Sequence, residues 1–89
     1  MSRPWEVDPD AQFRRRLGKT AAELGNSRTT NDSPDIWKLD NGDIAIVGRH
    51  VTATFADRLP EDLRIGDGER LVVIPGNMLS AAKPDIADA

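Results

Sequence analysis

Asp40-Asn41-Gly42-Asp43 constrains this chain more than any other segment, because Asn-Gly tolerates the positive backbone φ that a tight hairpin turn demands. The turn is flanked by Ile36-Trp37-Lys38-Leu39 and Ile44-Ala45-Ile46-Val47, two apolar-rich runs of strand length. This pattern predicts a β-hairpin and therefore antiparallel pairing. After the turn signal Gly66-Asp67-Gly68-Glu69, the continuous run Leu71-Val72-Val73-Ile74 reads as a buried strand. Nothing in the spacing calls for a parallel crossover.

Helix signals lie on both sides of these strands. Asp8-Pro9-Asp10 reads as a helix start, with Asp8 as the cap and Pro9 at the first helical position. Phe13, Leu17, Ala21 and Leu24 then recur at helical spacing, and Gly25-Asn26 supplies a left-handed stop. Gly18 weakens the middle of this amphipathic helix by about 1 kcal/mol relative to Ala, so the helix must dock on its own sheet or on a second chain. Residues 26–34 are all turn formers and read as a linker. Further on, Thr52 to Leu59 reads as a short helix ending before Pro60, and Met78 to Ala82 as a helical turn ended by Pro84.

These readings add up to an α+β fold. It has a small, mainly antiparallel three- to four-stranded sheet, an N-terminal amphipathic helix and a short C-terminal helix. The expected division is an N-terminal helix and linker over 1–33, a compact core over 34–86 and a loose tail over 87–89. Ile36, Leu39, Ile44, Ile46, Phe55, Leu71, Val73, Met78 and Leu79 are the expected core.

With 89 residues there is room for one small domain only. The absence of cysteine rules out disulfides and thiolate metal sites, and no apolar run reaches membrane-spanning length, which points to a cytoplasmic protein with no membrane partner. A net charge of -3 opposes general attraction to nucleic acid. His50 is the lone imidazole, and although Thr52 and Thr54 would share its face on a strand, no activated nucleophile or orienting acid accompanies them. Asp40, Asn41 and Asp43 fall short of a calcium loop, and Gly66-Asp67-Gly68 lacks the glycines of a dinucleotide fingerprint. The sequence therefore indicates no catalytic residue, metal or cofactor.

Two sets of residues are candidates for contact with partners. Arg14, Arg15, Arg16 and Lys19 could meet phosphate or an acidic partner, or form an ordinary solvated helix face. Trp5 and Trp37 could anchor a protein contact or close the end of the core. Together with Phe13, Leu17, Ala21 and Leu24 they make up an expected homodimer interface, because so small a core would leave both the helix stripe and the sheet partly uncovered.

The string PDIWKLDNGDIAIVGRHVT from Pro34, followed by ERLVVIP, NML and AAKPDI, resembles a class of small actinobacterial proteins. Its layout is similar to that of the BldB-like developmental proteins, which are associated with helix-turn-helix regulators. That resemblance implies a dimeric, non-enzymatic regulatory protein with a helix-turn-helix regulator as a possible partner. A second segment, Leu59 to Arg64 followed by Gly66 to Val73, is similar to AbrB-like transcription factors, which implies as an alternative a dimeric DNA-binding protein.

Overall fold

The computed structural model describes residues 5–29 and 33–86. Its centre is the hairpin of β2 (Asp35–Leu39) and β3 (Ile44–Val47), in the register Ile36↔Ile46 and Lys38↔Ile44. The turn takes its positive φ at Gly42 alone, at 92°, and the Asp43 carbonyl accepts from the Leu39 N–H at 2.8 Å while the Leu39 carbonyl accepts from Gly42 at 3.1 Å. The loop is thus one residue longer than the two-residue Asn-Gly turn, with Gly42 in the bulge position that favours glycine.

On the other edge of β2 lies β1 (Phe13–Arg16), antiparallel, with Arg16 opposite Trp37 and a bulge between Phe13 and Arg15. The N-terminal amphipathic helix expected here is not present, and its residues form this strand and one isolated turn. The physical cause is Gly18, whose φ of +79° reverses the chain where the helix would have to pass. The helical signals beyond it are spent locally. Thr20 and Glu23 cap each other reciprocally, the Thr20 hydroxyl accepting from the Glu23 N–H at 3.1 Å and the Glu23 carboxylate from the Thr20 N–H at 3.0 Å. One turn later Asn26 N–H reaches the Ala21 carbonyl at 2.7 Å and Gly25 N–H the Ala22 carbonyl at 3.1 Å, closing the turn around the left-handed Gly25.

The expected single sheet is instead two small antiparallel ones, which also corrects the strand layout. β4 (Arg49–His50) pairs with β5 (Val72–Val73) in a separate two-stranded sheet. Between them lie α1 (Thr52–Phe55) and a 3₁₀ turn over Ala56–Arg58. The one long helix is α2 (Gly76–Ile86), which runs through Pro84 where a stop was expected. Proline is tolerated there because it lies in the last turn and withdraws a single donor, the one that would have reached Ser80.

α2 covers the face of the three-stranded sheet to which Ile36 points, and Leu17, Ile36, Met78 and Ala82 form the buried cluster with Leu24 and Ile74 against it. Gly18 lies directly on the helix backbone. A Cβ there would come within 2.9 Å of Ala82 N and 3.0 Å of Ala81 C. The Asp85 carboxylate fixes the approach by accepting from the Gly18 N–H at 2.7 Å. Segment 13–25 is thus built into the same core as the hairpin. The loose tail expected over 87–89 lies outside the described residues, and so do residues 30–32 of the expected linker.

Of the expected core, Ile36 and Met78 are buried and Leu39, Phe55 and Leu71 half-buried. Ile44, Ile46, Val73 and Leu79 are exposed. α2 is one helix wide, and it covers the middle strand while leaving the β3 edge open. No helix among the described residues is long and apolar enough to cross a membrane.

Candidate protein-interaction surface

Side chains alternate across a pleated strand, so Ile36 and Trp37 must point to opposite faces of the sheet. Burial of Ile36 under α2 therefore sends Trp37 to the outer face, where its register partners are Arg16 and Ala45. There the Phe13 ring meets Trp37 edge-on, with centroids 5.8 Å apart and planes at 79°. The Arg16 guanidinium stacks over Trp37 at 4.7 Å from the ring centroid, and its Nε donates to Asp35 Oδ1 at 2.8 Å. Asp35 is two residues before Trp37 on the same strand and shares its face. The result is an aromatic patch clamped by an ion pair, with Phe13 still 63% exposed. Trp5 lies beside the hairpin turn, its Nε1 donating to Asp43 Oδ2 at 3.2 Å while the ring remains largely in solvent.

The β3 edge adjoins this patch. β3 pairs with β2 on one side only. Because Leu39 and Asp43 are hydrogen-bonded across the turn, alternation along an antiparallel ladder makes Trp37↔Ala45 and Asp35↔Val47 the bonded pairs. The Ile36 carbonyl accordingly turns the other way, to the Leu17 N–H at 2.8 Å. Ile44 and Ile46 must then direct their own N–H and C=O groups outward from the free edge, and neither has a backbone partner among the described residues. Ile44, Ile46 and Val47 are also 45%, 46% and 48% exposed, so the edge is open in both backbone and side chain.

The structure thus divides the expected interface residues. Trp5, Phe13 and Trp37 face outward or sit half-buried on the outer surface, whereas Leu17 and Ala21 are consumed inside the fold and Leu24 packs against the core. The four cations do not share a face. Arg16 is held by Trp37 and Asp35, Arg15 reaches toward the Asp85 carbonyl at 3.5 Å on the helix side, and Arg14 and Lys19 are exposed. Lys19 and Arg16 contribute to lowering the Glu23 carboxyl, although its bond from the Thr20 backbone N–H is the main cause.

The sequence reading placed Ile44 and Ile46 in the core, and although a small sheet implies unpaired strand edges, it did not assign the open one to β3. The available signal was that Ile44-Ala45-Ile46-Val47 does not alternate. A hairpin strand with one solvated face should be polar at every second position, and this one is apolar on both faces.

Elsewhere, His50 Nε2 lies 3.0 Å from Thr52 Oγ1, although the strand that would have carried His50, Thr52 and Thr54 on one face ends at His50 and both threonines belong to α1. The Thr52 hydroxyl also accepts from the Leu71 N–H at 2.8 Å, which clips the start of α1 to the chain leading into β5. A hollow of about 390 Å³ opens between Pro34, Gly48, Val73 and Ile74, and Arg49 is the one charged side chain in its lining. Compared with known proteins, the chain matches no family model, no curated protein and no solved structure.

Proposed function

We propose that this chain is a non-enzymatic protein-interaction module that acts as a homodimer. The observation that carries this reading is the balance between covered and uncovered apolar surface. Among the described residues five hydrophobic side chains are buried, two of them only alanines, while eleven large ones are exposed.

The character of the surface supports protein contact over other chemistry. Tryptophan, phenylalanine and a stacked arginine are the residue types that concentrate in protein interfaces. The cations near the N-terminus are dispersed over different faces, which disfavours a phosphate-tracking stripe. Thr52, the hydroxyl beside the lone imidazole, is occupied in holding the backbone together.

Light scattering on the intact chain at about 100 μM, far above the Kd of a stable interface, tests the reading. The expected mass is that of two chains. A mass of one chain rejects the homodimer.

A further inference from the structure

We infer that two copies of this chain pair through their β3 edges, antiparallel and centred on Ile46, to make one continuous six-stranded sheet. This inference rests on the homodimer reading and specifies its surface.

The free edge itself limits the possible registers. Only Ile44 and Ile46 turn their backbone groups outward within β3, so in an antiparallel pairing of two copies an Ile44 or Ile46 of one must lie opposite an Ile44 or Ile46 of the other. A twofold axis must then pass through Ile46, Ala45 or Ile44. Of these, the axis at Ile46 also satisfies the flanking charges. Asp43 and Arg49 lie three residues to either side of Ile46, so reversing the strand brings Asp43 of each copy opposite Arg49 of the other. The Arg49 guanidinium has no ion pair or hydrogen bond among the described residues, and the hydrogen bonds to the Asp43 carboxylate all fall on Oδ2, leaving Oδ1 open. An axis at Ala45 would instead set Asp43 against Val47.

A second copy fits this edge better than an unlike strand for two reasons. The edge is self-complementary in charge, and it is apolar on both sides of the sheet, so on the α2 side Ile46 would meet its counterpart with Ile44 opposite Gly48, while Ala45 and Val47 meet on the aromatic side. It also has no lysine, proline or bulge between Ile44 and Val47, the devices that commonly blunt an exposed edge. Pairing would align both Phe13–Trp37 patches on one surface of the joined sheet.

The chain has no cysteine, so a single introduced thiol reports its own neighbourhood. Ile46→Cys should be captured as a covalent dimer by a short bismaleimide several-fold more efficiently than Ser80→Cys, which sits exposed on α2. Ile46→Lys should give a single-chain mass by light scattering with an unchanged circular dichroism spectrum. Arg49→Asp should raise the dimer Kd about tenfold by setting like charges opposite each other at both ends, and adding Asp43→Arg should restore it. If the wild-type chain dimerises but neither Ile46→Lys nor Arg49→Asp weakens it, or if the two cysteine variants are captured equally, the edge assignment is overturned and the homodimer reading survives. A wild-type monomer at about 100 μM overturns both and leaves the edge to an unlike strand.

Discussion

The two faces of the three-stranded sheet are built from neighbouring residues on the same strands, and they meet different fates. On one face Ile36 disappears beneath α2, and the backbones of Gly18 and Ala82 come so close that no side chain fits between them. On the other, Trp37 packs against Phe13 and Arg16. At the β3 edge both faces are open, with Ile44 and Ile46 on the helix side and Val47 on the aromatic side standing nearly half in water. Stability is therefore concentrated on one side. The lesson is that this chain folds around a very small contact, one helix on one strand, and exposes more large apolar side chains than it buries among the described residues. That imbalance is the support for the proposed partner.

The sharpest way to break the contrast is Gly18→Ala. It combines a positive φ that costs an L-residue about 1–2 kcal/mol with a clash against helix backbone that cannot move aside, so a loss of roughly 2–4 kcal/mol is expected in urea unfolding. A change below about 1 kcal/mol would mean that the helix does not dock as described. Next in size is Met78→Ala, which removes the largest fully buried side chain and should cost about 2–4 kcal/mol. The matching truncation at the open edge, Ile46→Ala, should cost the single chain much less, because Ile46 is already 46% exposed, while weakening the proposed self-association. Equal losses from these two truncations would erase the distinction between the covered centre of the sheet and its open edge.

The hairpin was legible in the sequence because its signal is local: a glycine where the turn needs positive φ, between two apolar runs. The N-terminal helix was misread because the stripe Phe13, Leu17, Ala21, Leu24 fits helical spacing, yet the chain reverses inside it at Gly18, so that three of its members reach the same core by another route. The competing signal was present in Thr20-Ala21-Ala22-Glu23, a capping box that starts a turn after the glycine. Trp5 and Trp37 stood out in the sequence because polar or alternating surroundings mark them locally, whereas Phe13 was read only as a member of the helical stripe and its place on the outer face follows from β1. The openness of the β3 edge depends on how far α2 extends across the sheet, a tertiary fact that the non-alternating run Ile44-Ala45-Ile46-Val47 signals but does not fix.

A smaller effect sharpens the outer face. Phe13→Ala removes the edge-on partner of Trp37 and should cost about 1 kcal/mol in unfolding, with a red shift of Trp37 fluorescence measured in a Trp5→Phe background. An unshifted spectrum would show that Phe13 does not shield the indole. The same variant should leave the docking of α2 intact, since Phe13 and the helix lie on opposite faces.

The smallest expected effect concerns the turn that replaced the predicted helix. The Glu23 carboxyl is held below its usual value, first by the bond from the Thr20 backbone N–H, then by the Thr20 hydroxyl, and further by Lys19 and Arg16. A carboxyl with a lowered folded-state pKa binds its proton more readily in the unfolded chain, so its contribution is fully present above the unfolded value of 4.5 and disappears as pH falls through the lower folded value. Glu23→Gln keeps an oxygen acceptor for the Thr20 N–H but carries no titrating charge. The variant should therefore be slightly less stable than the parent at pH 7 and converge on it as pH falls below 4.5 and through the lower folded value, a difference visible in paired urea titrations across that range. Because Glu23 is exposed, water and salt screen the interaction, and added salt should shrink the gap at pH 7 by weakening the Lys19 and Arg16 contributions. A gap that persists unchanged at acid pH would mean that the carboxylate does not cap the turn, and that Gly25 and Asn26 alone hold the chain in place between β1 and the core.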